Sequence, residues 1–152
     1  GEFSMLDLGD SHGCALSSEG NFVCWGSNSF GQLDIPTGEF EKMVAGFGHT
    51  CGMLSDRSVQ CWGLDADGSL DPPPIFAIDL YSGIYHSCFL NPQRQAFCFG
   101  GDSYGLSGAL EGDGYQLMTL GNFHTCGLDT SGDIVCFGDN VQGQLDFPVF
   151  TD

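Results

Sequence analysis

Eight cysteines constrain this 152-residue chain more than any other feature, because they fall as four evenly built pairs: Cys14 and Cys24, Cys51 and Cys61, Cys88 and Cys98, Cys126 and Cys136. Nine residues separate the members of every pair, and successive first cysteines lie 37, 37 and 38 residues apart. A fixed period of this length marks a repeat architecture, in which each copy is one supersecondary unit that buries its apolar face against its neighbours. Other positions keep the same register. Gly9, Gly46, Gly83 and Gly121 lead the copies, and His12, His49, His86 and His124, all the histidines of the chain, stand two residues before the first cysteine. Trp25, Trp62, Phe99 and Phe137 each follow a second cysteine and precede a glycine. A later glycine opens Gly31-Gln32-Leu33-Asp34 and Gly143-Gln144-Leu145-Asp146, with Pro36, Pro73 and Pro148 beyond. The third copy departs here, reading Gly105-Leu106-Ser107-Gly108 with one extra residue and no proline.

Between paired cysteines, segments such as Leu16 to Val23 and Leu128 to Val135 set polar, glycine-containing turns between apolar ends, which predicts a β-hairpin. Leu6, Met43, Leu80 and Met118 mark a further strand upstream. The Gly-Gln-Leu-Asp-x-Pro segment predicts a short outer strand or edge, ended by a proline that cannot donate to a ladder. Each copy is then a small twisted antiparallel sheet of three or four strands. Across a hairpin the two cysteines become near-opposite neighbours, which suits a disulfide within each copy. Two four-cysteine zinc sites are the alternative, but zinc knuckles place about two to four residues between ligands. Four disulfides, each worth roughly 3 kcal/mol in the chain-entropy account, imply an oxidising compartment.

With 20 acidic against 3 basic side chains the chain carries a formal charge of −17. Such a charge repels phosphate backbones and anionic lipid, so nucleic acid and membrane surfaces are poor partners, and a basic protein or a cation fits better. No apolar run approaches the length of a membrane helix, and the first residues lack the layout of a signal peptide. The expected setting is extracellular, cell-surface or periplasmic.

The string Gly46-Phe47-Gly48-His49-Thr50-Cys51 with Cys61-Trp62-Gly63, and the run from Cys24-Trp25-Gly26 to Gly31-Gln32-Leu33, resemble the secreted, cysteine-bearing branch of the regulator-of-chromosome-condensation repeat family. The resemblance covers residues 3 to 152. It implies an all-β, β-propeller-type array of four antiparallel blades, each pinned by its own disulfide, in a single repeat domain over 3–152. The blades fall at about 3–39, 40–76, 77–114 and 115–152. The family includes a nucleotide-exchange factor, an ultraviolet photoreceptor, an enzyme inhibitor and ectodomains of plant receptor kinases, and fold alone transfers none of these roles. Family rings usually hold about seven blades, and propellers generally four to eight. A four-bladed ring, a ring of two chains, and an arc completed by a longer parent chain are therefore the three closures, with self-association favoured over an isolated open arc.

Candidate chemistry is sparse. Gly101-Asp102-Ser103-Tyr104-Gly105 matches a nucleophile-elbow string, but it occupies the loop slot of Ser27 to Gly31 in the first copy. Asp65, Asp67, Ser69 and Asp71 alternate as calcium ligands do, without the distal glutamate of a calcium loop. The four histidines could meet at a propeller axis and hold a metal; a bond to backbone or to the next blade is the simpler role. Trp25, Trp62, Phe99 and Phe137 read as core between blades, with His12, His49, His86 and His124 as the other signature positions. Copy-specific aromatics in loops, Phe30, Phe47, Tyr85, Tyr104 and Phe123, are the candidate binding residues. The expected function is protein recognition through these loops and those after Gly26, Gly63, Gly100 and Gly138, with Asp34, Asp71 and Asp146 steering a basic partner. The alternative is a lectin with one sugar per blade around the aromatics. An enzyme ranks behind both, its only search area being the third-copy loop from Ser103 to Tyr115.

Overall fold

The computed structural model describes residues 2–110 and 114–148. Four small antiparallel sheets follow one another along the chain. The first contains β1 (Phe3–Leu8), β2 (His12–Ser17) and β3 (Phe22–Gly26); the second β4 (Phe40–Ala45), β5 (His49–Leu54) and β6 (Val59–Gly63). The third contains β7 (Asp79–Ser82), β8 (Ser87–Leu90), β9 (Ala96–Phe99) and β10 (Gly108–Ala109); the fourth β11 (Tyr115–Leu120), β12 (His124–Asp129) and β13 (Ile134–Gly138). Each is a meander with its strands in chain order, the second lying between the first and the third.

The registers follow from the repeat. Cys14 faces Cys24, Cys51 faces Cys61, Cys88 faces Cys98 and Cys126 faces Cys136, and all four pairs are disulfide-bonded. The aromatic after the second cysteine lies on the opposite face because strand side chains alternate. Every sheet therefore has a leading face with the aromatic and a trailing face with the disulfide. Sheets stack leading face on trailing face. Between the first and second, Phe40, Met43 and Trp62 pack on Cys14, Cys24 and Phe22. Between the second and third, Leu80, Phe89, Phe97 and Phe99 pack on Val44, Cys51, Met53 and Val59. Between the third and fourth, Tyr115, Met118, Val135 and Phe137 pack on Cys88, Leu90, Ala96 and Cys98. The core is therefore three separate interfaces, each shared by two sheets, as expected of a repeat array.

The four sheets do not close into a ring of their own. On the first sheet's leading face Leu6 is 62% and Leu8 64% exposed, and Trp25 is 46% exposed where its counterpart Trp62 is 7%. On the fourth sheet's trailing face Leu117 and Ile134 are exposed beside Cys126. The four-bladed ring is thus excluded by the exposure of the two faces that would have to meet. These faces match in kind the ones that pair inside the array, and apolar areas of this sort favour association. Light scattering of the oxidised chain is expected to show concentration-dependent self-association. The double variant Leu8→Asp, Ile134→Asp should return it to a monomer, and a wild-type monomer at every concentration would contradict this.

The expected outer strand forms in one sheet. Gly108–Ala109 pairs with β9, whereas Gly31 to Asp34 and Gly143 to Asp146 are turns. The reason is local: Asn28 Nδ2 donates to Asp34 and Leu33 N–H donates to Asn28, a crossed pair repeated between Asn140 and Asp146 and between Leu145 and Asn140. These bonds curl the segment. The third copy lacks the asparagine and carries the extra residue, so its chain runs on far enough to pair.

Candidate functional site

The three interfaces share one polar link. His12 Nε2 lies 2.9 Å from Thr50 Oγ1, His49 Nε2 3.0 Å from Ser87 Oγ, and His86 Nε2 2.6 Å from Thr125 Oγ1. Each histidine thus bonds the residue following the histidine of the next sheet, where the first sheet itself carries Gly13. The Thr50 hydroxyl donates to the Gln32 carbonyl at 2.8 Å, so its oxygen must accept from His12 Nε2–H, which assigns the tautomer. Trp62 Nε1 donates to the same carbonyl at 3.1 Å. Burial holds His49 and His86 down to about 4, and lowers His12 as well. His12, His49 and His86 are therefore neutral and spread along the stack, one per interface, and do not converge.

A second polar network lies on the concave side, where the innermost strands β1, β4, β7 and β11 line a groove of about 340 Å³. Lys42, the only lysine in the chain, is ion-paired with Asp79 and sits 4.8 Å above the Tyr81 ring, whose hydroxyl donates to Asp79 at 2.7 Å. Burial opposes ionisation of Asp79, but the Lys42 and Tyr81 bonds outweigh it and hold its carboxyl below the ordinary range. Burial and the Asp79 carboxylate push the Tyr81 phenol up. Asp7 accepts from Ala45 N–H across the first interface, and burial pushes it up. Sequence reasoning missed this network. Its signal was a lone lysine inside a strand of a strongly acidic chain.

The recognition candidates lie at one end of the blades. The loops joining the first and second strands, and the loops leaving the third, emerge at the same edge. Gly48, immediately before His49, leaves room for the Phe30 ring, since a Cβ there would lie 2.8 Å from it. Phe30 consequently reaches across from the first sheet. Its ring centroid is 6.4 Å from Phe47; Phe47 is 5.8 Å from Tyr85; Tyr85 stacks on Phe123 at 4.9 Å and 9°; and Tyr104 lies 5.2 Å from Phe123. All five copy-specific aromatics form one continuous ridge across the four sheets. Phe30 and Tyr104 are exposed and the middle three half-buried.

The other candidates are placed differently. Trp62 and Phe99 are buried between sheets, Phe137 packs there too, and Trp25 lies on the uncovered leading face. The Ser69 hydroxyl is buried, donating to the Leu64 carbonyl and accepting from Ala66 N–H, while Asp65 accepts from Leu70 N–H. Among the described residues no three His, Cys, Asp or Glu side chains gather as a metal site. Ser103 lies in a short 3-10 turn, Asp102–Tyr104, after strand β9, with no helix following to make an elbow. Residues 111–113 of the third-copy loop lie outside the described residues, as do 149–152 at the end of the fourth blade.

The model of the regulator of chromosome condensation (RCC1) repeat matches residues 6–32, 40–69 and 118–144, more than half of the chain. The chain belongs to this family. The third copy, with its inserted residue, is the one left unmatched. No curated protein matches the chain in sequence. Among solved structures, the CRINKLY WD40 ectodomain of the receptor kinase ACR4 from Arabidopsis thaliana is 31% identical, with a TM-score of 0.75, over 90% of this chain and 49% of that one. The ectodomain of the receptor kinase CR4 from Physcomitrella patens is 24% identical, with a TM-score of 0.76, over 90% and 39%. Prp20p from Saccharomyces cerevisiae, described with its binding to Gsp1p and histones, is 18% identical, with a TM-score of 0.78, over 94% and 46%. The last two show the fold. The RCC1-repeat chain described here spans about half the length of these structures or less.

Proposed function

We propose that this RCC1-repeat arc is a protein-recognition module working outside the cytoplasm, with the loop edge as its contact surface. The observation that carries the reading is the ridge from Phe30 to Tyr104. Aromatic side chains offer a large, rigid contact area at low entropic cost and dominate binding hot spots. Here they come from the loops that vary between copies, while the repeated Trp62, Phe99 and Phe137 stay in the interfaces. The four disulfides and the receptor-kinase ectodomains among the similar structures support the compartment. A lectin with one sugar per blade would need the repeated aromatics as platforms, and Trp62 and Phe99 are buried.

Photo-crosslinking amino acids at Phe30 and Tyr104 are expected to trap a protein from the native extracellular or periplasmic fraction. The same groups at the exposed positions Glu19 and Ser131, in the hairpin turns at the opposite end of the blades, should trap none. Equal trapping from both ends, or retention of glycans in place of protein, would overturn the reading.

A further inference from the structure

Carboxylates stand at both ends of the blades, Glu19, Asp56 and Asp133 among those in the hairpin turns, but lysine and arginine are kept away from the ridge. Asp10, Asp34, Asp65, Asp67, Asp71 and Asp146 are exposed in the loops at the ridge edge. Asp34 and Asp146 accept from asparagine amides there, which leaves their charge uncompensated. The three cations of the chain are all elsewhere. Lys42 is held by Asp79 on an innermost strand; Arg57 pairs with Glu41 at 2.9 Å, and Arg94 donates to the Tyr115 carbonyl at 3.2 Å, both in hairpin turns at the opposite end. The ridge is therefore a row of rings packed on one another and exposed at Phe30 and Tyr104, in an edge that carries carboxylates and no lysine or arginine.

We propose that this ridge seats an extended, arginine-rich segment of a protein partner, an assignment that rests on the loop-edge reading above. Three features select that occupant. Aromatic rings attract cations over their faces, and the exposed Phe30 and Tyr104 at the two ends of the ridge have face area open to solvent. Guanidinium is planar and weakly hydrated, so it stacks on such rings where an ammonium keeps its water. Side chains on one side of an extended peptide recur about every 6.8 Å, twice the rise per residue. The ridge steps of 6.4, 5.8 and 4.9 Å fall short of that repeat, so an extended segment runs along the ridge without matching it ring for ring. The surrounding carboxylates add long-range attraction that speeds encounter, and a purely electrostatic surface would not separate arginine from lysine.

The test is fluorescence anisotropy with the oxidised full chain and two labelled peptides, alternating Arg-Ser and alternating Lys-Ser of equal length and charge, at low and high salt. The Arg-Ser peptide is expected to bind about tenfold more tightly, and to keep that advantage at high salt where screening removes the shared charge attraction. The double variant Phe30→Ala, Tyr104→Ala alters exposed side chains, and Phe47→Leu keeps an apolar group in place. Each should erase most of the preference while near-ultraviolet circular dichroism stays native. The control Glu19→Gln, Asp133→Asn removes two charges at the far end and should leave the preference intact. Equal affinity for the two peptides, or a preference unchanged in the ridge variants, would overturn the assignment. The photo-crosslinks decide the loop-edge reading separately, since they report the position of a partner whatever its charge.

Discussion

Reducing the four disulfides is expected to unfold the chain. Each joins residues ten apart on neighbouring strands, and the chain-entropy account gives roughly 3 kcal/mol for a loop of that size. Four together amount to the order of 10 kcal/mol, comparable with the whole net stability of an ordinary domain. The fold has little in reserve, because its apolar core is divided among three interfaces between thin sheets and the two outermost faces remain uncovered. Circular dichroism melts with and without a reductant check this: the oxidised chain should melt cooperatively, and the reduced chain should show no cooperative transition at room temperature. The double variant Cys88→Ser, Cys98→Ser probes the most buried of the staples and should lower stability by about 3 kcal/mol. A reduced chain that melts as the oxidised one does would remove the main support for an extracytoplasmic setting.

Acid is expected to destabilise the chain well above the pH at which carboxylates titrate. His49 and His86 are held at about 4 in the folded chain, against about 6.5 when unfolded. Protonation is therefore easier in the unfolded state. The stability these neutral rings contribute is fully present above about pH 6.5 and is lost as pH falls from there towards 4. By about pH 4.5 each should have cost on the order of 2 kcal/mol. His12, lowered in the same direction, adds to the loss. Relief of repulsion among the acidic side chains acts in the opposite sense, but it begins near the carboxylate range, so the slope between about pH 6.5 and 5 belongs to the histidines. Urea titrations across that window measure it directly. His49→Gln, which can still bond the Ser87 hydroxyl, should flatten the slope by one histidine's share, and an unchanged slope would show that His49 does not titrate as its burial implies.

Much of this architecture was legible in one sequence because the repeat writes the same local instruction four times. The hairpin length between paired cysteines sets the register that makes Cys14 face Cys24 and, in turn, each later pair. Strand alternation then sends the residue after the second cysteine to the other face, so a leading and a trailing face exist before any packing is considered. These are relations within a few residues, decided by backbone geometry and side-chain parity.

Tertiary structure decided whatever depends on how one sheet sits against the next. Trp25 and Trp62 stand in the same Cys-Trp-Gly string, yet one is exposed and the other buried, because only Trp62 has a sheet in front of it. Lys42 and Asp79 are 37 residues apart, and only the rotation between the second and third sheets brings them together. The ridge is a further case. Sequence singled out Phe30, Phe47, Tyr85, Tyr104 and Phe123 as separate loop residues, from two kinds of loop: Phe30 and Tyr104 before the later glycine, Tyr85 and Phe123 before the histidine, and Phe47 one position earlier. The stacking of blades at one ring-width spacing joined them into a single surface. Periodic pattern thus determined the strands, the cross-links and the faces, which are local. The open arc, the paired interfaces and the continuous ridge are contacts between distant residues, and those come into being only when the sheets pack.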